Sequence, residues 1–149
     1  IKHALDIRYK KRNVYSHSKQ TLRSKVVKNA KDILNKVDRT TQVVAIDEAM
    51  WFGKELIPIV NRLVYSGKRV IVTGLSTTFT AEPFEPIPSL MAVAERVDKL
   101  TSICTLCGND AIFHKKITSE KVDPYQISSI NVGKVDKYEA RCRACFPKS

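Results

Sequence analysis

No stretch of this sequence approaches the roughly 18 consecutive apolar residues that a membrane-spanning helix needs, which excludes such a helix from its 149 residues. No apolar block follows the first basic residues, so no secretory leader can be read there and a cytoplasmic protein is expected. No segment repeats, and none is of low complexity. Glycine is scarce, at 5 residues, and the phosphate-cradling pattern G-x-x-x-x-G-K-[ST] does not occur. The two Gly-Lys pairs, Gly53-Lys54 and Gly67-Lys68, lack both the following Ser/Thr and the earlier Gly. Gly67-Lys68 also precedes a strand pattern, whereas a phosphate cradle follows one. Aromatic residues do not interleave with basic ones, apart from Tyr9 and Tyr15, so a base-stacking platform for nucleic acid finds little support.

The length suits one domain with a real core, or a core domain with a small appendix. At 43% hydrophobic residues the composition is that of a soluble globular protein. The formal charge of +11 is unevenly spread: residues 1–39 carry 12 Lys/Arg against 3 Asp/Glu. Such a concentration attracts polyanions, nucleotide phosphates and nucleic acid among them. The plainer reading is a solvated Lys-rich surface.

IKHALDIRY reads as the end of a strand with Asp6, Arg8 and Tyr9 at its exit, and residues 10–25 have no period and read as a loop. Residues 26–38 place Val26, Val27, Ala30, Ile33, Leu34 and Val37 at helical spacing, which predicts an amphipathic helix. QVVAIDEA and RVIVTGL are continuous apolar strands, of the kind that parallel sheets bury on both faces. Between them, residues 54–66 predict a helix with Pro58 in its first turn and Gly67 at its stop. The pattern is a βαβ unit. A Pro- and Thr-rich loop carrying Phe79 and Phe84 follows, then a short helix over 89–100 and a third β segment, TSICTLC.

Cys104 and Cys107 form one C-x-x-C pair, Cys142 and Cys145 a second, with thirty-four residues between the pairs. Each knuckle turns two thiolates toward one point, and the double pattern predicts tetrahedral Zn²⁺ with Zn–S near ~2.3 Å. A disulfide pair suits an oxidising compartment instead, and a redox C-x-x-C needs no second copy. With four protein ligands the site is structural, and Arg141, Arg143 and Lys148 stand close enough in sequence to offset its negative charge.

Asp47 and Glu48 end an apolar strand, the position where open α/β sheets bind ligands. An apolar strand running into Asp is the Walker B pattern, whose acid helps to hold Mg²⁺. Neighbouring strand residues point to opposite faces, which gives the two acids different tasks. A carboxylate beside a hydroxyl accepts its proton as the oxygen attacks phosphorus. For either acid alone, an ordinary helix N-cap is the competing reading.

Asp6-Ile7-Arg8-Tyr9, IDEAMWF, GKRVIVTGLSTTFTAEPF, LTSICTLCG and VGKVDKYEARCRAC follow one another in an order and at gaps that resemble the thymidine kinase family of the zinc-containing type. The resemblance implies an α/β fold, a P-loop-type parallel sheet flanked by helices, with a small C-terminal zinc ribbon and lasso loop. Residues 1–103 would be the kinase core and 104–149 the ribbon. It implies transfer of phosphate from ATP, with Mg²⁺, to the 5′-hydroxyl of thymidine. By position Glu48 matches the general base, Asp47 the acid near Mg²⁺, and Asp6 and Arg8 the phosphate end. Trp51, Phe79 and Phe84 match aromatic residues around the thymine, although large aromatics also fill cores. Tyr138 matches the tyrosine that reaches the sugar, and residues 117–137 a loop closing over thymidine, in which Gly133 allows close backbone approach. Lys134 stands where a second Gly is usual, and His114 where Thr is usual, beneath the pyrimidine. In the family a strand, a P-loop and a helix precede the point matched by Ile1, so a longer native chain is expected. Relatives are homotetramers with thymidine triphosphate as feedback ligand. Two other readings are a non-catalytic zinc ribbon that binds nucleic acid through its basic first third, and a kinase-like scaffold without a P-loop.

Overall fold

Val43–Ile46 (β5) and Arg69–Val72 (β6) pair in parallel, with Val43 opposite Arg69 and Ile46 opposite Val72. The computed structural model describes residues 1–6, 13–15, 21–119, 123–125 and 137–147. Ahead of this pair, Lys2–His3 (β1) and Val26–Val27 (β4) form a second parallel pair. The Asp47 N–H donates to the Ile1 carbonyl at 3.1 Å, and a parallel bridge joins Lys2 to Asp47. The run β4-β1-β5-β6 therefore lies side by side, all parallel. Asn13–Tyr15 (β2) and Thr21–Arg23 (β3) form a separate antiparallel ladder, where the sequence reading expected only loop.

The link between β5 and β6 is helical, as the spacing predicts. A 3-10 segment, Ala49–Glu55, leads into the α-helix Leu56–Tyr65 (α1), which buries Leu56, Ile59, Val60 and Leu63. Full burial of such side chains is worth about 1.5–3 kcal/mol each, enough to hold a ten-residue helix that would be marginal alone. Pro58 falls in its first turn, where a missing N–H costs nothing. Gly67, at φ +79°, ends it, and its N–H donates to the Val64 carbonyl at 2.8 Å.

Two expectations fail here. The helix over 26–38 does not form; the β-branched pair Val26-Val27 joins β1 instead, and a 3-10 helix covers only Lys31–Lys36. Asn29 Oδ1 accepts the Asp32 N–H at 3.1 Å at its start. Ladder bonds from Lys2 and Ala4 to Lys25 and Val27 hold the strand and outweigh a local helical pattern. The second failure concerns burial. Along β5 only Val44 and Ile46 are buried, while Val43 and Ala45 are exposed, as is Ile71 on β6. The elements packed on the sheet, α1 and the two 3-10 segments, pack with Val44 and Ile46 in one core. Among the described residues nothing covers the opposite face.

After β6, a loop is pinned by the Phe84 N–H to the Ser76 carbonyl at 3.0 Å and the Thr78 N–H to the Glu82 carbonyl at 2.8 Å. The next helix, Ile87–Val93 (α2), begins and ends earlier than the expected 89–100. Pro88 near its start favours that beginning, and the β-branched Val93 and Val97 do little to extend it. Ser102–Ile103 (β7) pairs antiparallel with Asp110–Ala111 (β8), and Phe113–Lys116 (β9) with Tyr138–Arg141 (β10). A second, smaller buried cluster lies here, made of Cys104, Ala111, Cys142 and Cys145. The chain is thus a mixed α/β protein of short parallel and antiparallel sheets with a four-cysteine cluster.

Candidate functional site

The carboxyl ends of β5 and β6 converge on Asp47, Glu48 and Thr73. The Thr73 N–H donates to the Ile46 carbonyl at 2.9 Å, and the Ala49 N–H donates to the Thr73 carbonyl at 2.9 Å. The Thr73 hydroxyl donates to Asp47 Oδ1 at 2.7 Å. Sequence reasoning missed Thr73; its one signal was a hydroxyl residue at the exit of an apolar strand. Glu48 is in the left-handed region, at φ 52° and ψ 48°. For a residue with a side chain this costs about 1–3 kcal/mol and tends to persist where function requires it. The alternation expected for two extended acids therefore ends at Asp47. Glu48 occupies the cap position of the Ala49–Glu55 segment, yet its carboxylate makes no capping bond. Gly74 belongs to the same corner: a Cβ there would meet Ile87 Cδ1 at 2.9 Å and the Ala49 nitrogen at 3.3 Å.

Asp6 is buried. Its Oδ2 lies 3.2 Å from Lys2 Nζ, which also donates to the Asn13 carbonyl at 3.2 Å. Lys2 was not singled out from the sequence, although it is buried almost completely. Arg8, matched to the phosphate end, lies outside the described residues, as do Gly133 and Lys134.

The aromatic residues divide into two groups. Trp51 and Phe84 are half-buried against the main core, the role that large aromatics ordinarily have. Among the described residues the buried Trp51 indole N–H has no hydrogen-bond partner, although such N–H groups usually find one. His3 stands beside it, its ring centroid 6.2 Å from that of Trp51 and 4.7 Å from that of Phe52. His3 Nδ1 accepts the Leu5 N–H at 3.1 Å and Nε2 donates to the Lys28 carbonyl at 2.8 Å. Burial pulls its pKa below the usual value, against the opposing effect of the Lys28 carbonyl.

Phe79, His114 and Tyr138 form the second group. Tyr138 lies 6.1 Å from Phe79 and meets His114 edge-on at 5.7 Å between centroids. His114 sits opposite Ala140 in the β9–β10 ladder, and burial lowers its pKa. Lys116 Nζ lies 5.9 Å from the Phe79 ring centre. The Ile117 N–H donates to the Lys137 carbonyl at 3.0 Å, so the two ends of the expected closing loop, 117–137, meet. Most of that loop lies outside the described residues.

The sulfur atoms of Cys104, Cys107, Cys142 and Cys145 all lie within 4.8 Å of one another, and Cys107 and Cys142 are 3.6 Å apart. A tetrahedron with ~2.3 Å Zn–S bonds has S···S edges of about 3.8 Å, so the donor set fits zinc. Each knuckle is shaped by its backbone. The Gly108 N–H donates to the Cys104 carbonyl at 2.9 Å, with Gly108 at φ +76°. The Phe146 N–H donates to the Cys142 carbonyl at 2.9 Å. The thiols differ: hydrogen bonds, that from the Cys142 backbone foremost, bring Cys104 down to about 6. Hydrogen bonding with Cys142 and burial push Cys145 up to about 12. Buried Arg141 pairs with Glu139, and among the described residues its Nε and Nη1 have no partner. The Arg143 guanidinium lies 5.2 Å from the Phe113 ring centre, and Lys148 lies outside the described residues.

The corner of two acids, the Phe79, His114 and Tyr138 group and the four-cysteine cluster thus occur in one chain. No helix among the described residues is long and apolar enough to cross a membrane. The family model described as thymidine kinase matches residues 1–146. The chain therefore belongs to the thymidine kinase family, and its four-cysteine cluster fits the zinc site of the zinc-containing type.

Proposed function

We propose that the protein transfers phosphate from ATP to the 5′-hydroxyl of thymidine, with Glu48 as the general base. The observation that carries this reading is the state of Glu48. It is held in a costly left-handed backbone at the end of a parallel strand. A carboxylate placed there takes the proton from the sugar alcohol as that oxygen attacks the terminal phosphorus of ATP. Asp47, oriented by Thr73, would hold the Mg²⁺ that arrives with the nucleotide. Asp6 and Arg8 would serve the phosphate end, where positive charge offsets what develops on the transferred group.

In this reading Phe79, His114 and Tyr138 face the nucleoside, Trp51 and Phe84 add further aromatic surface, and Gly133 belongs to the closing loop. The half-burial of the trio and its mutual edge-on and tilted packing support a surface against which a flat pyrimidine can stack. The zinc site would fasten the two ends of residues 104–149 beneath that loop, with 1–103 as the P-loop-type kinase core. Cytoplasmic salvage, a homotetramer and feedback by thymidine triphosphate complete the proposal.

The test is phosphoryl transfer from ATP to thymidine by the full-length protein, followed as thymidine monophosphate. Glu48→Gln is expected to lower kcat by roughly 10²–10⁴ while calorimetric thymidine binding changes little. Unchanged turnover in that variant would remove Glu48 from the chemistry.

A further inference from the structure

Thr105 lies inside the first knuckle, between Cys104 and Cys107, while Glu139 and Arg141 lie just ahead of the second, which begins at Cys142. The Thr105 N–H donates to the Ala140 carbonyl at 3.1 Å. Its hydroxyl is within reach of both Glu139 Oε2, at 3.2 Å, and the Ala140 carbonyl, at 3.3 Å. The same Oε2 accepts from Arg141 Nη2. One carboxylate oxygen therefore joins the first knuckle to the strand that leads into the second. The β7–β8 and β9–β10 ladders are separate sheets, and Thr105 bonds across the gap between them.

Strand alternation sets Glu139 and Arg141 on the face of β10 opposite to Tyr138 and Ala140. Tyr138 meets Phe79 and His114 on its own side, so the junction stands on the back of the hairpin, away from that group. Arg141 is 5% exposed, and among the described residues its Nε and Nη1 have no partner. A buried cation with spare donors is costly unless charge of the opposite sign lies near. Four thiolates around Zn²⁺ keep a net negative charge, and Arg141 directly precedes one of them, Cys142. Arg143, by contrast, is exposed, with its guanidinium 5.2 Å from the Phe113 ring centre.

We propose that Glu139 is the positioning residue of the zinc site: by binding Thr105 and Arg141 through one oxygen, it sets the two knuckles at the spacing the metal requires and holds the Arg141 charge beside the thiolates. Glu139 is no ligand and acts through these two neighbours. Groups that orient metal ligands in this way commonly carry roughly 10- to 100-fold of metal affinity. Ligands already fixed in place need little further ordering when the ion arrives, and an ion held by fixed ligands leaves slowly. Retention of zinc thus depends on a half-buried carboxylate outside the cysteine set.

The experiment follows zinc transfer from the zinc-loaded full-length protein to an excess of a chromogenic chelator, without ATP or thymidine. Failure here therefore leaves the kinase reading standing, and absence of turnover leaves this one standing. Glu139→Ala is expected to speed release roughly 10- to 100-fold. Thr105→Val, which removes an exposed hydroxyl, is expected to speed it about two- to tenfold. Both variants break the same junction, so T105V/E139A should release zinc no faster than Glu139→Ala alone, whereas a general loosening of the ribbon would add the two effects. Arg141→Leu should speed release, and Arg141→Lys, which keeps the charge without the planar fork, should restore part of the retention. Arg143→Gln should release zinc as wild type does. A wild-type protein that retains no zinc would overturn the proposal. So would additive effects in the double variant, or an Arg143→Gln as fast as Arg141→Leu. Wild-type release in Thr105→Val is enough by itself to overturn it, even where Glu139→Ala does not fold.

Discussion

Thr73 Oγ1 and Asp47 Oδ1 stand 2.7 Å apart across the exits of two neighbouring parallel strands. The backbone of Thr73 is bonded as well, its N–H to Ile46 and its carbonyl to the Ala49 N–H. One residue of β6's exit thus holds the chain on both sides of Asp47-Glu48. If Asp47 holds Mg²⁺ as proposed, Thr73 would act on the reaction by orienting that group, and its removal is expected to be felt in kcat more than in stability.

Thr73→Val keeps the shape and removes the hydroxyl. The lost bond, worth about 0.5–1.5 kcal/mol, should lower kcat by roughly three- to tenfold with little change in melting temperature. Steady-state kinetics beside a thermal melt will check it. An unchanged kcat would mean that Asp47 needs no help in orientation.

Lys2 and Asp6 form a buried ion pair at 3.2 Å, and Lys2 also reaches the carbonyl of Asn13. Lys2→Ala would leave a carboxylate buried without this cation. The expected loss is about 3–5 kcal/mol, read as the denaturant midpoint. A loss below about 1 kcal/mol would place the pair among those that behave as surface contacts.

Acid sensitivity follows from His3 and His114. Burial lowers the pKa of both below the ordinary value of 6.5. As pH falls, the unfolded chain takes up these protons before the folded one does. Stability is therefore fully present above about pH 6.5 and declines as pH drops through the window beneath it. For His3 a proton on Nδ1 also removes the acceptor of the Leu5 N–H. Melting temperature measured from about pH 7 down to pH 5 should fall, and His3→Gln should flatten that slope. If the slope in the variant equals that of wild type, His3 does not contribute.

Much of this was legible in the residue order. Leu56, Ile59, Val60, Leu63 and Val64 announced α1, although Val64 proves exposed, Pro58 and Gly67 marked its ends, and the two C-x-x-C pairs announced the sulfur cluster. Those signals are local, or survive any distance because only cysteines at that spacing make them. What was illegible depends on neighbours. Val26 and Val27 match a helical face as well as a strand, and only the presence of Lys2 and His3 alongside decides. The exposure of Val43 and Ile71 depends on which side of the sheet the helices occupy. The bond from Thr73 to Asp47 and that from Lys2 to Asp6 each join residues whose types, taken alone, suggest nothing.

Metal removal should act unevenly. The smaller buried cluster consists of three cysteines and Ala111, with Ala140 packed against it. It has almost no apolar side chain with which to hold itself together. Chelation is expected to abolish amide-exchange protection in residues 104–116 and 138–146 while α1 and β5 retain theirs. Equal protection with and without chelator would show that the ribbon stands on its hydrogen bonds alone.

The two halves of the cysteine cluster also impose an order on biosynthesis. A ribosome that has made Cys104 and Cys107 must add thirty-four more residues before the other pair begins. The main core, whose members run from Val27 to Leu90, is wholly translated before even the first knuckle. A nascent chain can therefore settle its α/β portion early, while capture of the ion waits for the last knuckle, so zinc scarcity in the cell would yield a protein folded at the front and loose at the back.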